Sequence, residues 1–276
     1  MGRLLSYSGI STKIRAMQSK LISESEIQEM LQFTSVSHAA AWLKRTPEYA
    51  KAWADLDENS LHRGQIEKLL KASIFKDFSK IYQFANPEQR KFLDLYSRRY
   101  EIRVLKEIMT NLFDHKSTDA VDVSPYCDFF RRHSKLDLDR LTACTTMDEF
   151  INTLKGNEFY VPLSRIQNHD TALLFDYGMA LDLYYFSMIW NVRKKLFSGK
   201  DLEQITTAYG EKFDMLNLQF ISRSKRYFSM APADIYALLI PMNYKLKKRR
   251  NHCTRRGLHS RRSPADLSQD VLRQKV

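Results

Sequence analysis

Apolar residues recur every three or four positions along most of this sequence, the spacing that places them on one face of an α-helix. The longest such segment runs from Pro87 to Phe113 and follows Asn86. An asparagine can cap a helix, and proline suits the first helical position because its missing N–H would have no partner there. The apolar positions form one stripe over many turns: Phe92, Leu95, Tyr96, Ile102, Leu105, Ile108, Met109 and Leu112. The pattern predicts a single long helix.

Shorter helices are predicted where capping residues precede apolar positions of helical spacing. Residues 23–26 (Ser-x-x-Glu) and 146–149 (Thr-x-x-Glu) have the capping-box pattern, in which side chains satisfy backbone N–H groups of the first turn. Ser35 stands in a similar place ahead of another apolar run. Thr46 precedes Pro47 as Asn86 precedes Pro87, so a further helix is expected to begin at Pro47.

The composition favours an all-α fold. With 43% hydrophobic residues, 12% aromatic residues, 8 Gly and 7 Pro, the chain can form a packed core but is poor in turn formers. At 276 residues it exceeds a typical single core, so two domains are expected. The polar, acidic segment from Asp114 to Ser124 ends before Pro125 and is predicted to separate them.

Short motifs recur in the same order in the two halves of the sequence. Ser19-Lys20-Leu21 returns as Ser134-Lys135-Leu136 at an offset of 115, and Leu43-Lys44 followed by Tyr49 returns as Leu154-Lys155 followed by Tyr160 at an offset of 111. A third block keeps an offset of 113, and in it Tyr96, Tyr100, Glu101, Leu105 and Ile108 match Tyr209, Phe213, Asp214, Leu218 and Ile221. The shared order indicates duplication of one helical module, and the drift in offset indicates changes in loop length.

The repeat predicts the domain organisation. Residues 1–120 form the first copy, and residues 121–246 form the second copy together with the start of a third, at Lys245-Leu246. Residues 247–276 are basic and nearly free of apolar residues, so a disordered tail is expected there in place of the rest of the third copy.

Most of the net positive charge lies at the end of the sequence. Residues 245–276 carry +9 of the total of +12, which leaves +3 for the other residues. A nearly neutral body lacks the clustered cations that a phosphate backbone requires, so nucleic-acid binding is expected only if the tail performs it.

Cys127, Cys144 and Cys253 lie far apart and indicate neither a disulfide framework nor a zinc ribbon. No segment is apolar and long enough to predict a membrane span.

A family resemblance rests mainly on residues 211–247, with support from residues 7–17 and 100–109. Its hallmark is an acidic residue followed by Asn-Leu on a long helix, which is Asp214, Asn217 and Leu218 here. In the first copy the acid is Glu101, and Val104 replaces the asparagine. These motifs resemble the C subunit of the V/A-type rotary ATPases, a relative of the vacuolar d subunit.

The resemblance implies a funnel of three similar helical domains with pseudo-threefold architecture, of which two copies are present here and the third is truncated. It implies a non-catalytic central-stalk subunit without cofactor or nucleotide site, which lies on the cytoplasmic face of the membrane. There it would couple the central shaft to the membrane rotor ring during ion transport. The residues expected to contact these partners are surface cations near the copy boundaries: Arg98, Arg99, Arg223 and Lys225.

An alternative from another class stays open. Helical metal-dependent phosphohydrolases use a His, a His-Asp pair and a distal Asp, and the chain offers His133, His169, Asp170 and Asp214 as possible ligands. Against this alternative, Asp214 is already explained by the repeat. Nucleotide binding is not indicated, because the Gly-Lys pair at residues 199–200 lacks the rest of a phosphate-binding loop.

The predicted truncation can be tested in the coding DNA. We expect one of the other two reading frames beyond about Lys248 to encode an apolar continuation of helical period, because a frameshift can replace a helix by an Arg-rich tail. If both frames are interrupted by stop codons or carry no such pattern, the basic tail is genuine.

Overall fold

The computed structural model describes residues 3–54, 57, 59–114, 123, 126–167 and 172–246. All regular secondary structure in these ranges is helical, so the all-α prediction is confirmed. The chain divides into two compact units, Met1–Asn157 and Glu158–Val276.

The helices of the first unit are α1 (Arg3–Gln18), α2 (Glu24–Met30), α3 (Val36–Arg45), α4 (Ala50–Trp53), α5 (Arg63–Phe84), α6 (Pro87–Phe113), α7 (Cys127–His133), α8 (Leu138–Thr142) and α9 (Met147–Thr153). Those of the second unit are α10 (Tyr160–Gln167), α11 (Leu174–Leu196), α12 (Gly199–Phe228) and α13 (Pro232–Ala237).

Most predicted helix starts are confirmed. The long helix α6 begins at Pro87, and the Asn86 side chain accepts a hydrogen bond from the backbone N–H of Gln89. Ser23 and Glu26 form the predicted reciprocal capping box of α2. Thr146 caps α9, and the carboxylate of its partner at position 149 accepts hydrogen bonds from the N–H and the hydroxyl of the preceding residue, Thr145.

The prediction of a helix start at Pro47 is wrong. Residues 47–49 form a turn, and the four-residue helix α4 begins only at Ala50. The Thr46 hydroxyl donates a hydrogen bond back to the Trp42 carbonyl, so it closes α3 instead of capping the next helix. A threonine ahead of a proline can serve either end of a helix, and here the preceding helix takes it.

Apolar packing stabilises the described part of the first unit in several places. Around α3, α4 and the start of α5, a cluster forms from Ala40, Leu43, Trp53 and Ile66. Farther along, α6 buries the second part of its predicted stripe: Ile102, Leu105, Ile108, Met109 and Leu112. The earlier stripe residues, Phe92, Leu95 and Tyr96, are half-buried.

The two sequence copies share an order of helix lengths. The short helices α2, α3 and α4 precede the long pair α5 and α6, and the short helices α8, α9 and α10 precede the long pair α11 and α12. This order agrees with duplication of one module, while the funnel architecture stays a prediction.

A sequence copy and a compact unit divide the chain differently. The helices α7, α8 and α9, which open the second sequence copy, belong to the first compact unit, and α9 packs against α6. The predicted copy boundaries at residues 1–120 and 121–246 therefore stay predictions about sequence duplication. The predicted disorder of residues 247–276 lies outside the described residues.

The Asn86 cap gives a stability prediction. We expect Asn86→Ala to lower the free energy of unfolding of the first unit by about 1 kcal/mol, because the N–H of Gln89 loses its acceptor. Ser198→Ala is the matched control, since Ser198 occupies the same position before α12 without making a side-chain cap bond. Urea unfolding followed by far-UV circular dichroism measures both variants, and equal effects would contradict this role of Asn86.

Candidate functional site

The family hallmark residue Asp214 lies near the middle of α12, and only 6% of it is exposed. Its carboxylate accepts three backbone hydrogen bonds. One oxygen accepts from the N–H of Tyr244 at 3.1 Å, and the other accepts from Lys245 at 2.6 Å and from Leu246 at 3.1 Å. A buried carboxylate is costly unless such donors surround it, so this geometry ties the later segment firmly to α12.

Asn217 lies one turn farther along α12 and is 2% exposed. Its side-chain amide makes two hydrogen bonds with one residue, accepting from the N–H of Ile240 at 2.9 Å and donating to its carbonyl at 3.0 Å. Only an amide side chain offers a donor and an acceptor side by side in this way. Asn217 therefore holds the backbone of Ile240 at a fixed place on the helix.

Tyr244 packs directly over Gly210 on the same face of α12. A Cβ atom at Gly210 would lie 2.3 Å from Cγ of Tyr244, so the absence of a side chain permits this approach. The Tyr244 hydroxyl lies 3.1 Å from the hydroxyl of Thr207, and the ammonium of Lys245 pairs with Glu211. That hydrogen bond with Glu211 raises the pKa of Lys245 above its ordinary value.

We call this group the α12 bracket, and it comprises Thr207, Gly210, Glu211, Asp214 and Asn217. It binds residues 240–246, which run back along α12 towards its start. Three acceptor positions of the Asp214 carboxylate are taken by backbone amides, so its described role is to hold the chain. Sequence analysis singled out Asp214 and Asn217 without this role and missed Gly210, although a glycine inside a helical pattern is a known sign of close packing.

In the first unit, the counterpart of Asp214 is Glu101, which is 1% exposed. Glu101 accepts a hydrogen bond at 2.9 Å from Arg98, one turn earlier on α6. The side chain of Arg98 is only 20% exposed. This predicted interface cation is therefore engaged within its own helix.

The other three predicted interface cations have different surroundings. Arg99 is exposed on α6, where its guanidinium lies 5.1 Å from the ring centre of Tyr96 and 5.6 Å from that of Tyr100. Arg223 is exposed near the end of α12, whereas Lys225 is half-buried and burial lowers its pKa. Their use as an interface stays a prediction.

The end of α12 also presents two large aromatic side chains to the surface. Tyr227 and Phe228 are 67% and 72% exposed. The guanidinium of Arg226 lies 5.5 Å from the ring centre of Tyr227, and Arg223 lies one turn earlier. Exposed aromatic residues beside arginine are typical of protein contact surfaces, so this end of α12 is a second candidate for partner binding.

Two of the four possible ligands of the metal-dependent alternative have other roles. His133 packs among aromatic rings, with its ring centre 4.4 Å from that of Tyr82 and 5.4 Å from that of Phe129, and burial lowers its pKa. Asp214 holds backbone amides, as described above. His169 and Asp170 lie outside the described residues. Within the described residues, no three His, Cys, Asp or Glu side chains are grouped so that they could hold a metal ion.

Among the helices in the described ranges, none combines the length and the apolar character that crossing a membrane requires.

Comparison with known proteins assigns most of the chain to one family. Residues 10–252 match the ATP synthase (C/AC39) subunit family. Similar proteins include the C subunits of three A-type ATP synthases. The one from Methanocaldococcus jannaschii is 22% identical over 80% of this chain, that from Thermococcus kodakarensis is 21% identical over 85%, and that from Methanosarcina mazei is 22% identical over 87%. The chain spans 55%, 61% and 65% of the lengths of these relatives.

The α12 bracket gives a prediction for Asp214→Asn. We expect the free energy of unfolding to fall by about 3 kcal/mol, because the amide N–H₂ group would face backbone donors and leave at least one of them without an acceptor. Hydrogen exchange at the amides of Tyr244, Lys245 and Leu246 should become faster.

Glu203→Gln is the matched control for Asp214→Asn, because Glu203 is an exposed carboxylate on the same helix. Urea unfolding and amide hydrogen exchange resolved by residue measure both variants. Unchanged exchange at residues 244–246 in Asp214→Asn would contradict the bracket.

Proposed function

This chain belongs to the ATP synthase (C/AC39) subunit family, and from that membership we propose that it is a non-catalytic central-stalk subunit of a V/A-type ATPase or ATP synthase. In this role it acts as a socket that receives the rotating shaft on one side and rests on the membrane rotor ring on the other. The observation that carries the proposal is the family match over residues 10–252, which includes both long helix pairs and the α12 bracket.

The helical architecture suits the transmission of torque. A socket must move as a rigid body, since a part that bends would absorb rotation instead of passing it on. Long helices with closely packed cores resist such bending. The α12 bracket adds stiffness, because Asp214 and Asn217 bind the backbone of residues 240–246 by five hydrogen bonds.

The proposed partners are the shaft subunits and the rotor ring of the same complex. Arg99 and Arg223 are the best placed of the four predicted interface cations, because both are exposed. Arg98 and Lys225 are more enclosed, and each would act mainly by supporting its own helix. The protein would lie at the cytoplasmic face of the membrane as a peripheral component, where charged contacts between subunits guide assembly.

The proposal assigns no chemistry to this chain. Nucleotide hydrolysis or synthesis would belong to other subunits, and ion transport to the ring and its neighbours. Loss of this subunit should therefore separate the two activities. Hydrolysis would continue while ion transport stops.

Charge reversal tests the interface and the coupling role together. In a complex reconstituted with shaft, ring and catalytic subunits, we expect Arg99→Glu with Arg223→Glu to lower ATP-driven ion transport about tenfold, with hydrolysis retained, because opposed charges at the contacts weaken docking. Ion transport into vesicles and phosphate release are measured on the same sample.

The matched control for this experiment is Lys135→Glu with Lys155→Glu, which makes the same charge change at two exposed cations. Normal transport with the Arg99 and Arg223 variant would remove these residues from the interface. Normal transport by a complex that contains no copy of this chain would overturn the proposed function itself.

A further inference from the structure

A groove of about 660 Å³ lies between α5 and α7 in the first unit, and we call it the α5–α7 groove. Most of its wall comes from one face of α5, and about one turn of α7 faces part of that wall. The lining residues on which the argument depends are Leu69, Ala72, Phe75, Lys76, Phe129 and Arg132. None of them belongs to the α12 bracket or to the predicted interface cations.

The floor of the groove is apolar and fixed. Phe75 and Phe129 are 3% and 2% exposed, and their ring centres lie 5.0 Å apart in an edge-to-face arrangement. Leu69 and Ala72 continue the apolar surface along α5. Both are half-buried, so they supply the apolar surface that a partner can contact above the two buried rings.

The rim of the groove is basic. Lys68, Lys76 and Lys80 line it from α5 and Arg132 lines it from α7, whereas Asp128 is the single acidic residue in the lining. Asp128 is paired with Arg131, so its charge is already balanced. The charge of Lys80 is offset by Glu48 and Asp77, so the positive charge that faces a partner comes mainly from Lys76 on α5 and Arg132 on α7.

One rim cation is held in a defined place. The Lys80 ammonium contacts Glu48 at 2.6 Å and Asp77 at 2.9 Å, and its side chain stays 41% exposed. Lys76 and Arg132 are exposed at the surface on opposite sides of the floor. A partner that carries carboxylates along both edges of an apolar stripe matches this arrangement.

The length of the groove favours a helix over a compact ligand. Along α5 the lining runs from Gln65 to Gln83, which corresponds to about 27 Å at 1.5 Å per residue. A groove of this length and apolar character is the usual seat of an amphipathic helix, which places residues at helical spacing into it. A small ligand would occupy only part of that length.

The second unit contains a comparable arrangement made by the chain itself. There the eight-residue helix α10 packs against the long helix α11, and the Tyr184 hydroxyl on α11 donates a hydrogen bond at 2.7 Å to the carboxylate of Glu158, just before α10. At the corresponding place in the order of helices, the first unit has α4, which is only four residues long. The second unit thus already packs a short helix with an adjacent carboxylate against a long helix.

We propose that the α5–α7 groove binds an amphipathic helix of another protein, with the apolar face of that helix on Leu69 and Ala72, above the buried rings of Phe75 and Phe129, and its Asp or Glu residues against Lys76 and Arg132. This assignment does not depend on the socket function. A helix from any protein with this chemistry would satisfy it.

The experiment uses the full-length chain and three fluorescein-labelled peptides of 18 residues each. The first peptide carries Leu and Ala on one helical face with Glu on both flanks, the second has Lys in place of Glu, and the third is a scrambled version of the first that keeps its acidity but not its apolar face. Binding is measured by fluorescence anisotropy. We expect the first peptide to bind about tenfold more tightly than the other two, because it alone matches floor and rim together.

Two variants locate the binding site. Lys76→Glu with Arg132→Glu should weaken binding of the first peptide about tenfold through the rim, whereas the control Lys135→Glu with Lys155→Glu, outside the groove, should leave it unchanged. Ala72→Phe should weaken binding without any change of charge, since the larger side chain would occupy the floor where the apolar face of the peptide lies. Circular dichroism checks that each variant is folded, and a photoreactive group on the first peptide should cross-link to residues 61–83 or 126–133.

Four results would overturn the proposal. Equal binding of the scrambled peptide would show general attraction to a basic protein, and equal binding of the Lys peptide would remove the role of the rim. Binding that survives both the rim variant and Ala72→Phe, or a cross-link outside the groove, would place the peptide elsewhere. Because no ATPase complex is needed, failure here is distinct from failure of the socket function.

Discussion

The buried carboxylate of Asp214 is the interaction on which the described end of the chain depends. An unpaired carboxylate in a protein interior is strongly unfavourable, so the three backbone N–H groups of residues 244–246 stabilise the helix and the segment together. Asn217 holds the start of the same segment, and just before it Ile235 and Leu239 pack with Ile221 of α12. After the short helix α13 the chain therefore turns back and runs along α12 in the opposite direction.

The sequence predicted the helix caps correctly where they depend only on neighbouring residues. The caps at Ser23 and Asn86 act within three residues, and a side chain that satisfies its own first turn needs no distant partner. Thr46 shows the limit of such reasoning, because its hydroxyl could serve either of two helix ends and the sequence does not rank them. The sequence singled out two residues of the α12 bracket, Asp214 and Asn217. It did not reveal the partners of Asp214, which are backbone amides some 30 residues away. Every residue except proline has such an amide, so no side-chain pattern marks the ones that Asp214 selects.

The matching positions of the two sequence copies are alike in burial. Asp214 is a buried carboxylate that binds backbone amides, and its counterpart Glu101 is also a buried carboxylate, to which Arg98 donates one hydrogen bond. The amide of Asn217 has Val104 as its counterpart, which is fully buried and apolar. Under the predicted duplication, both positions stay buried in both copies, while the asparagine side chain is present in the second copy and a valine stands in the first. For this reason the hallmark is complete in the second copy only.

The packing of α9 against α6 has a consequence for synthesis of the protein. Domains fold as units, beginning from the N-terminus as the chain emerges from the ribosome. The first unit extends to Asn157, so α6 completes its packing only after α9 has been made. During that interval the nascent chain exposes apolar residues of α6 that the finished protein buries.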